Sequence, residues 1–238
     1  VVILDASLSM QSTDVDPSRF EAARSQALQI AAALEPNDEM MVVEAAGRTR
    51  VLCTFTRDFP TLEGAIREAR PTDCRSNLRE ALALCISLSK EKTNTLVYIL
   101  SDGAHAEAIE TTLPQGVEVQ YLPFGERNRN VAITALNVRE AYGADSRYQL
   151  FVAARNYSDE EVRCQVEITL DGELINVETL TLPPGQQIQH ILDDPKLAGG
   201  VIEASLDVDD DLASDNTARI LFRERARRKV LLLSLIHI

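Results

Sequence analysis

Two things that this sequence lacks, paired cysteines and an excess of positive charge, limit what the protein does. It has no paired cysteines: Cys53, Cys74, Cys85 and Cys164 show neither disulfide nor metal-site spacing, so we interpret them as free thiols. It has little positive charge, with 24 Lys and Arg residues against 37 Asp and Glu spread along the chain. The resulting net charge of −13 argues against nucleic acid and anionic membrane surfaces as partners.

The sequence also lacks a signal peptide, a membrane span and an initiator methionine. It begins inside an apolar run typical of a core strand, so we expect a fragment of a longer protein. We interpret residues 223–238 as a charged linker followed by the truncated start of a further domain. The last five residues resemble translated sequencing-adapter read-through, and we assign them no function.

Length and pattern indicate two domains. A chain of 238 residues with 45% hydrophobic content can bury two cores without disulfides. Helices alternate with strands up to about residue 127, which predicts an α/β domain with a doubly wound, mostly parallel sheet. Short alternating strands fill residues 131–222, which predicts an antiparallel, immunoglobulin-like β-sandwich.

The same patterns predict the individual elements. The first helix is expected over about 17–34, with Asp16 as its N-cap and Pro17 at its first position. A hairpin is expected from 40–46 and 51–55. The other predicted elements of the α/β domain are strands at 1–4, 96–100 and 117–122 and helices around 62–69 and from Ser76 to 86, with a short helix before the last strand. The predicted sandwich strands are 131–140, 148–156, 162–170, 173–182, 186–192 and 200–207.

The first nine residues carry the strongest functional signal. The apolar run from Val1 to Leu4 predicts a strand buried on both faces, and Asp5, Ser7 and Ser9 follow its carboxyl end. Ligands of open α/β sheets bind at that edge. Alternate residues in an extended turn can direct one carboxylate and two hydroxyls at a single centre. A cluster of hard oxygens with little negative charge suits Mg²⁺.

This loop resembles part of a known metal site. The metal-ion-dependent adhesion site of von Willebrand factor A domains has the pattern Asp-x-Ser-x-Ser, then a distant Thr, then a distant Asp. Asp5, Ser7 and Ser9 match the first part, and Ser76 and Asp102 follow in the right order. The resemblance implies Mg²⁺, or Mn²⁺ or Ca²⁺, bound directly by Ser7, Ser9 and Ser76. Asp5 and Asp102 would hold its waters and balance its charge.

Two positions depart from that pattern. Leu8 stands where a small residue is common, and Ser76 stands where Thr is usual. Serine keeps the hydroxyl that faces the ion but lacks the methyl group that restricts its rotamers. We therefore expect coordination to survive with weaker affinity.

An adhesion-type domain followed by a sandwich resembles membrane-anchored bacterial proteins of the aerotolerance (Bat) kind, over roughly residues 1–233. The segments 130–133 and 215–216 have look-alikes in that group. The resemblance implies a non-enzymatic, cation-dependent protein-binding module with no small-molecule substrate. Its partner would present an acidic side chain to the metal. The parent would be membrane-anchored through parts outside this chain, with this portion favoured on the extracytoplasmic side.

Two alternatives to this function stay open. One is a metal-free scaffold with a degenerate site. The other is a phosphohydrolase of the haloacid dehalogenase type, which would use Asp5 as nucleophile but needs an acid/base Asp where Ser7 stands.

A second acidic pattern is less informative. Asp207, Asp209 and Asp211 alternate as in a calcium loop, but Leu212 stands where Gly is required, and we interpret the segment as a solvated turn.

Overall fold

The computed structural model describes residues 1–104, 113–140, 148–194 and 199–223, and the chain divides into two compact units. The first unit is built on residues 1–131 and also includes two short later segments, 157–159 and 209–214. The second unit contains most of the residues from 132 onward. The predicted domain boundaries at 127 and 131 stay a prediction.

A five-stranded sheet forms the centre of the first unit. Its strands are β1 (Val2–Asp5), β2 (Met40–Ala45), β3 (Thr49–Thr56), β4 (Thr95–Ser101) and β5 (Val117–Pro123). Their order is β3-β2-β1-β4-β5, and all neighbours are parallel except the edge hairpin of β2 and β3. The predicted doubly wound, mostly parallel sheet is confirmed. Because β1 is central, its carboxyl end lies between those of β2 and β4.

Helices cover both faces of this sheet. They are α1 (Arg19–Ala32), α2 (Phe59–Glu68) and α3 (Leu78–Leu88). On one face, Leu4 packs in a cluster with Phe20 of α1 and Leu62 of α2. On the other, Ile3 packs in a cluster with Leu82 of α3. All five side chains are almost completely buried, which explains the uninterrupted apolar run of β1.

The predicted starts of α1 and α3 differ from those in the structure by one or two residues. Helix α1 is capped by Ser18, not Asp16, and the Ser18 hydroxyl accepts a hydrogen bond from the Glu21 amide at 3.3 Å. Helix α3 is capped by Asn77, which accepts from the Glu80 amide, so Ser76 lies just before the helix. In both cases a cap residue stands three positions before a Glu, a spacing that stabilises helix starts. The short helix predicted before β5 falls within 105–112, outside the described residues.

The second unit is a β-sandwich of two antiparallel sheets, as predicted. Its strands are β6 (Val131–Glu140), β7 (Tyr148–Asn156), β8 (Val162–Leu170), β9 (Glu173–Leu182), β10 (Gln187–Asp194), β11 (Gly200–Asp207) and β12 (Thr217–Phe222). They form one sheet in the order β10-β7-β6 and another in the order β12-β11-β8-β9. Alternate residues of β8, namely Cys164, Val166 and Ile168, are buried. This alternation is the pattern of strands with one face in a core. Within the described ranges, no helix is long and apolar enough to cross a membrane.

The acidic segment at 209–214 is an integral part of the first unit. The Asp211 carbonyl accepts from the Thr13 amide at 2.8 Å, and its amide donates to the Arg129 carbonyl at 2.9 Å. Its carboxylate forms two hydrogen bonds with the Arg127 guanidinium, at 2.9 and 2.7 Å. Since Asp211 is buried, our interpretation of this segment as a solvated turn is wrong at that residue.

We predict that Asp211→Asn destabilises the first unit by about 1 kcal/mol, because it removes an ion pair whose arginine is largely exposed. The backbone contacts of Asp211 remain in this variant, so the turn should stay docked. Urea unfolding followed by circular dichroism would measure the change, with Asp209→Asn, an exposed neighbour, as the control. An equal loss in both variants would contradict the assigned role of the ion pair.

Candidate functional site

Asp5 occupies the end of β1 and is buried. The Ser7 amide donates to Asp5 Oδ1 at 3.0 Å, which folds the chain back towards the carboxylate. The Oγ atoms of Ser7 and Ser9 are 3.4 Å apart. A single turn of 3₁₀ helix, Leu8–Gln11, follows. Three of the five predicted site residues thus lie together in one hydrogen-bonded loop at the carboxyl edge of the sheet.

The end of β4 is attached directly to Asp5. Ser101 is fully buried, and its hydroxyl donates to Asp5 Oδ2 at 2.5 Å. The same hydroxyl accepts from the Gly103 amide at 3.2 Å. Asp102 lies between these two residues, so the Asp5 loop and the Asp102 loop meet here. Sequence reasoning missed Ser101, although it directly precedes Asp102 at the end of a predicted strand.

The loop that leads to Ser76 also meets the first loop. The Leu8 amide donates to the Cys74 carbonyl at 2.9 Å. Both the amide and the hydroxyl of Thr72 donate to the Ala6 carbonyl, at 2.9 and 3.0 Å. Ser76 follows two residues after Cys74. Its Oγ atom is buried and has no hydrogen-bond partner among the described residues.

An unpartnered buried hydroxyl requires an explanation, because leaving one unsatisfied costs about 1–3 kcal/mol. A hard cation would supply the missing partner, and a serine oxygen is a suitable ligand for such an ion. No group of three or more His, Cys, Asp or Glu side chains able to hold a metal occurs in the described ranges. The donors available here are hydroxyls with few carboxylates, which fits Mg²⁺ better than a softer metal.

Asp102 is buried, but an arginine already neutralises it. Its side chain is 2% exposed, and its Oδ2 accepts from Arg19 Nη1 at 2.9 Å. Its Oδ1 accepts from the Ala104 amide at 2.9 Å. Arg19 is the first residue of α1, and sequence reasoning did not include it in the site. Its position three residues after Asp16 gave no signal that it would reach the loop after β4.

The guanidinium of Arg19 is held from several sides. It forms two hydrogen bonds with Asp14, at 2.6 and 2.9 Å, and one with the Arg127 carbonyl at 2.6 Å. Gly125 has φ of +123°, and a Cβ there would lie 2.9 Å from Arg19 Nε. A side chain at residue 125 would therefore displace the guanidinium. These contacts fix Arg19 beside Asp102.

Asp14 is an unusually acidic carboxyl group. Burial by itself would raise its pKa, but hydrogen bonds from Arg19 and from the amides of Arg127 and Glu126 outweigh that effect. The pKa of Asp14 is held well below its ordinary value. Near the same edge, burial and the charges of Asp102 and Asp5 raise the pKa of Tyr121, whose hydroxyl donates to the Ser101 carbonyl at 2.9 Å.

A comparison with protein families matches residues 1–105 to the von Willebrand factor type A domain. The comparison with curated proteins finds no match. One similar solved structure is an aerotolerance-related membrane protein from Bacteroides fragilis, with 19% identity and a TM-score of 0.46, over 60% of this chain and 72% of that one. Another is the conserved hypothetical protein BatB from Bacteroides thetaiotaomicron, with 22% identity and a TM-score of 0.47, over 62% and 72% of the two chains.

The first unit is thus an α/β domain with polar loops gathered at the carboxyl edge of a doubly wound sheet. The family match identifies this part of the chain as a von Willebrand factor type A domain, as its loop pattern predicts. Domains of this family generally serve protein–protein interaction and are generally not enzymes. The set of five metal-binding residues stays a prediction.

We predict that Asp14→Asn lowers stability at neutral pH and that the difference from wild type shrinks in acid. Because the folded-state pKa of Asp14 lies below the unfolded value of about 3.9, its stabilising contribution is complete above that value. The contribution is lost as the pH falls towards the folded-state pKa. Urea unfolding at pH 7, 4 and 3 measures the difference, with exposed Asp159→Asn as control. A difference that stayed constant over this range would contradict the prediction.

Proposed function

We propose that this protein is a divalent-cation-dependent protein-binding module without catalytic activity. The observation that carries this proposal is the buried, unpartnered hydroxyl of Ser76, in the loop whose preceding residues are hydrogen-bonded to the segment after Asp5. A bound cation would give this oxygen the partner that the described protein groups do not supply. The non-enzymatic character agrees with the general role of the domain family.

The cation would be held by residues of three loops. Ser7, Ser9 and Ser76 would bind Mg²⁺, or Mn²⁺ or Ca²⁺, through their hydroxyls. Asp5 and Asp102 would hold its waters and balance its charge. Bound there, the ion would supply a Lewis-acidic contact for an oxygen ligand from another protein.

The charge of the site favours an acidic partner. Of the five residues proposed to hold the ion, two are carboxylates, so an incoming Glu or Asp side chain gains a charge-assisted contact with a doubly charged ion. A site with three or four carboxylates would repel that side chain. We therefore propose that the partner is a protein presenting an acidic side chain, and neither a nucleic acid nor a small-molecule substrate.

A second candidate is a metal-free scaffold, and the ion pair between Arg19 and Asp102 favours it. In that case the guanidinium of Arg19 would balance the negative charge of Asp102 in place of a metal ion, and the partner would bind equally well in EDTA. A phosphohydrolase fits less well, because both oxygens of Asp5 already accept hydrogen bonds and Ser7 stands where an acid/base Asp is needed.

We also propose that the parent protein is membrane-anchored. This portion would lie in an aqueous compartment, and we favour the extracytoplasmic side. The resemblance to Bat-type proteins supports this proposal. The parent sequence tests it, since a parent lacking an apolar stretch of about 20 residues would contradict it.

We predict that Asp5→Asn weakens Mg²⁺ binding at least about tenfold, which corresponds to about 1.4 kcal/mol. The amide keeps the shape of the side chain and one acceptor oxygen, but it removes a charge that balances the ion. Titration calorimetry with Mg²⁺ measures the affinity, and thermal unfolding in EDTA verifies that the fold persists. Asp159→Asn removes the same charge from an exposed position and should bind Mg²⁺ as wild type does. Equal affinity in all three proteins would exclude Asp5 from the site.

We predict that Ser76→Ala has opposite effects without and with the cation. In EDTA the variant should be at least as stable as wild type, because it removes a buried hydroxyl that has no partner in the part of the chain that the structure describes. In Mg²⁺ wild type should gain more stability than the variant, since it has one more ligand for the ion. Thermal unfolding under both conditions measures this crossover. Equal stabilisation of the two proteins by Mg²⁺ would show that Ser76 is not a ligand.

A further inference from the structure

Arg19 is a fixed cation at the edge of the proposed metal site. Its side chain is 13% exposed, and Asp14, Asp102 and the Arg127 carbonyl all accept hydrogen bonds from it. Gly125 packs against the guanidinium at a position where a Cβ would be 3.0 Å from its carbon atom. An arginine with this many contacts cannot swing away without leaving two buried carboxylates unpaired.

The charges around the two predicted carboxylates therefore differ. Among the described residues, Asp5 receives hydrogen bonds only from neutral groups, the Ser7 amide and the Ser101 hydroxyl. Asp102 receives one from an amide and one from the charged Arg19. Within the part of the chain that the structure describes, a cationic side chain contacts Asp102 but none contacts Asp5. Asp5 and Asp102 would therefore balance the charge of a divalent ion at this site only in part.

We propose that Arg19 sets the cation affinity of the site: it weakens the binding of Mg²⁺ alone and leaves room for the negative charge of an acidic partner. This inference rests on the proposed function. The positive charge of Arg19 offsets the attraction of Asp102 for the ion. A carboxylate from a partner restores the balance, so cation and partner bind more tightly together than either does alone.

The test is titration calorimetry of the whole chain with Mg²⁺ alone. The main variant is the double substitution Arg19→Gln with Asp14→Asn, which keeps the net charge and avoids leaving Asp14 unpaired. We expect it to bind Mg²⁺ about tenfold more tightly than wild type, because the guanidinium directly contacts Asp102 whereas Asp14 binds the other nitrogens of the same guanidinium, so removal of the pair releases the charge of Asp102. The matched control is Arg24→Gln with Glu21→Gln, which removes an ion pair from the same helix. It should bind as wild type does.

A further variant separates charge from shape. Arg19→Lys keeps the positive charge but not the planar fork of donors. If the charge sets the affinity, Arg19→Lys should bind Mg²⁺ within about twofold of wild type. If Arg19 only shapes the loop, Arg19→Lys should behave as the double variant does, and the inference is overturned. Thermal unfolding in EDTA confirms that each variant is folded.

The possible outcomes separate this inference from the proposed function. Tighter Mg²⁺ binding by the double variant alone supports it. Equal or weaker binding by the double variant, with clear binding by wild type, overturns it and leaves the cation-dependent function intact. No Mg²⁺ binding by any of the proteins overturns both.

Discussion

The hydrogen bond between the Ser101 hydroxyl and the Asp5 carboxylate joins the neighbouring strands β4 and β1 of the first unit at their carboxyl ends. Asp5 is buried because β1 is buried on both faces, and a buried carboxylate needs donors. Ser101 and the Ser7 amide supply them. The geometry of the loops that follow β1 and β4 depends on this one acid, which explains why an Asp ends an otherwise apolar strand.

The edge of the sheet combines attraction for a cation with a cation of its own. In the proposed site, the hydroxyl of Ser76, which has no partner among the described residues, and the carboxylate of Asp5 would favour a divalent ion, whereas Arg19 already pairs with Asp102. These features are compatible if the site binds its ion weakly until a partner adds a carboxylate. Such a site would make adhesion depend on both components, since neither is held tightly alone.

The sequence predicted those parts of the fold and site that local patterns determine. The apolar run before Asp5 predicted the central strand, and the alternation after residue 130 predicted the sandwich. The helix caps Ser18 and Asn77 could have been predicted from the sequence, because each stands three residues before a Glu. The pairing of Arg19 with Asp102 and that of Asp211 with Arg127 could not be predicted in this way, since the partners are distant in sequence. The pairing of Asp211 with Arg127 spans 84 positions and has no periodic signal.

A crystal structure grown in Mn²⁺, with anomalous data collected, tests the central claim most directly. Mn²⁺ accepts the same oxygen ligands as Mg²⁺, and its anomalous signal identifies it without ambiguity. The account predicts a peak within about 2.2 Å of the hydroxyl oxygens of Ser7, Ser9 and Ser76, near the bond length of a hard divalent cation. The absence of a peak there, with the Ser76 hydroxyl bonded to a protein group instead, would contradict it.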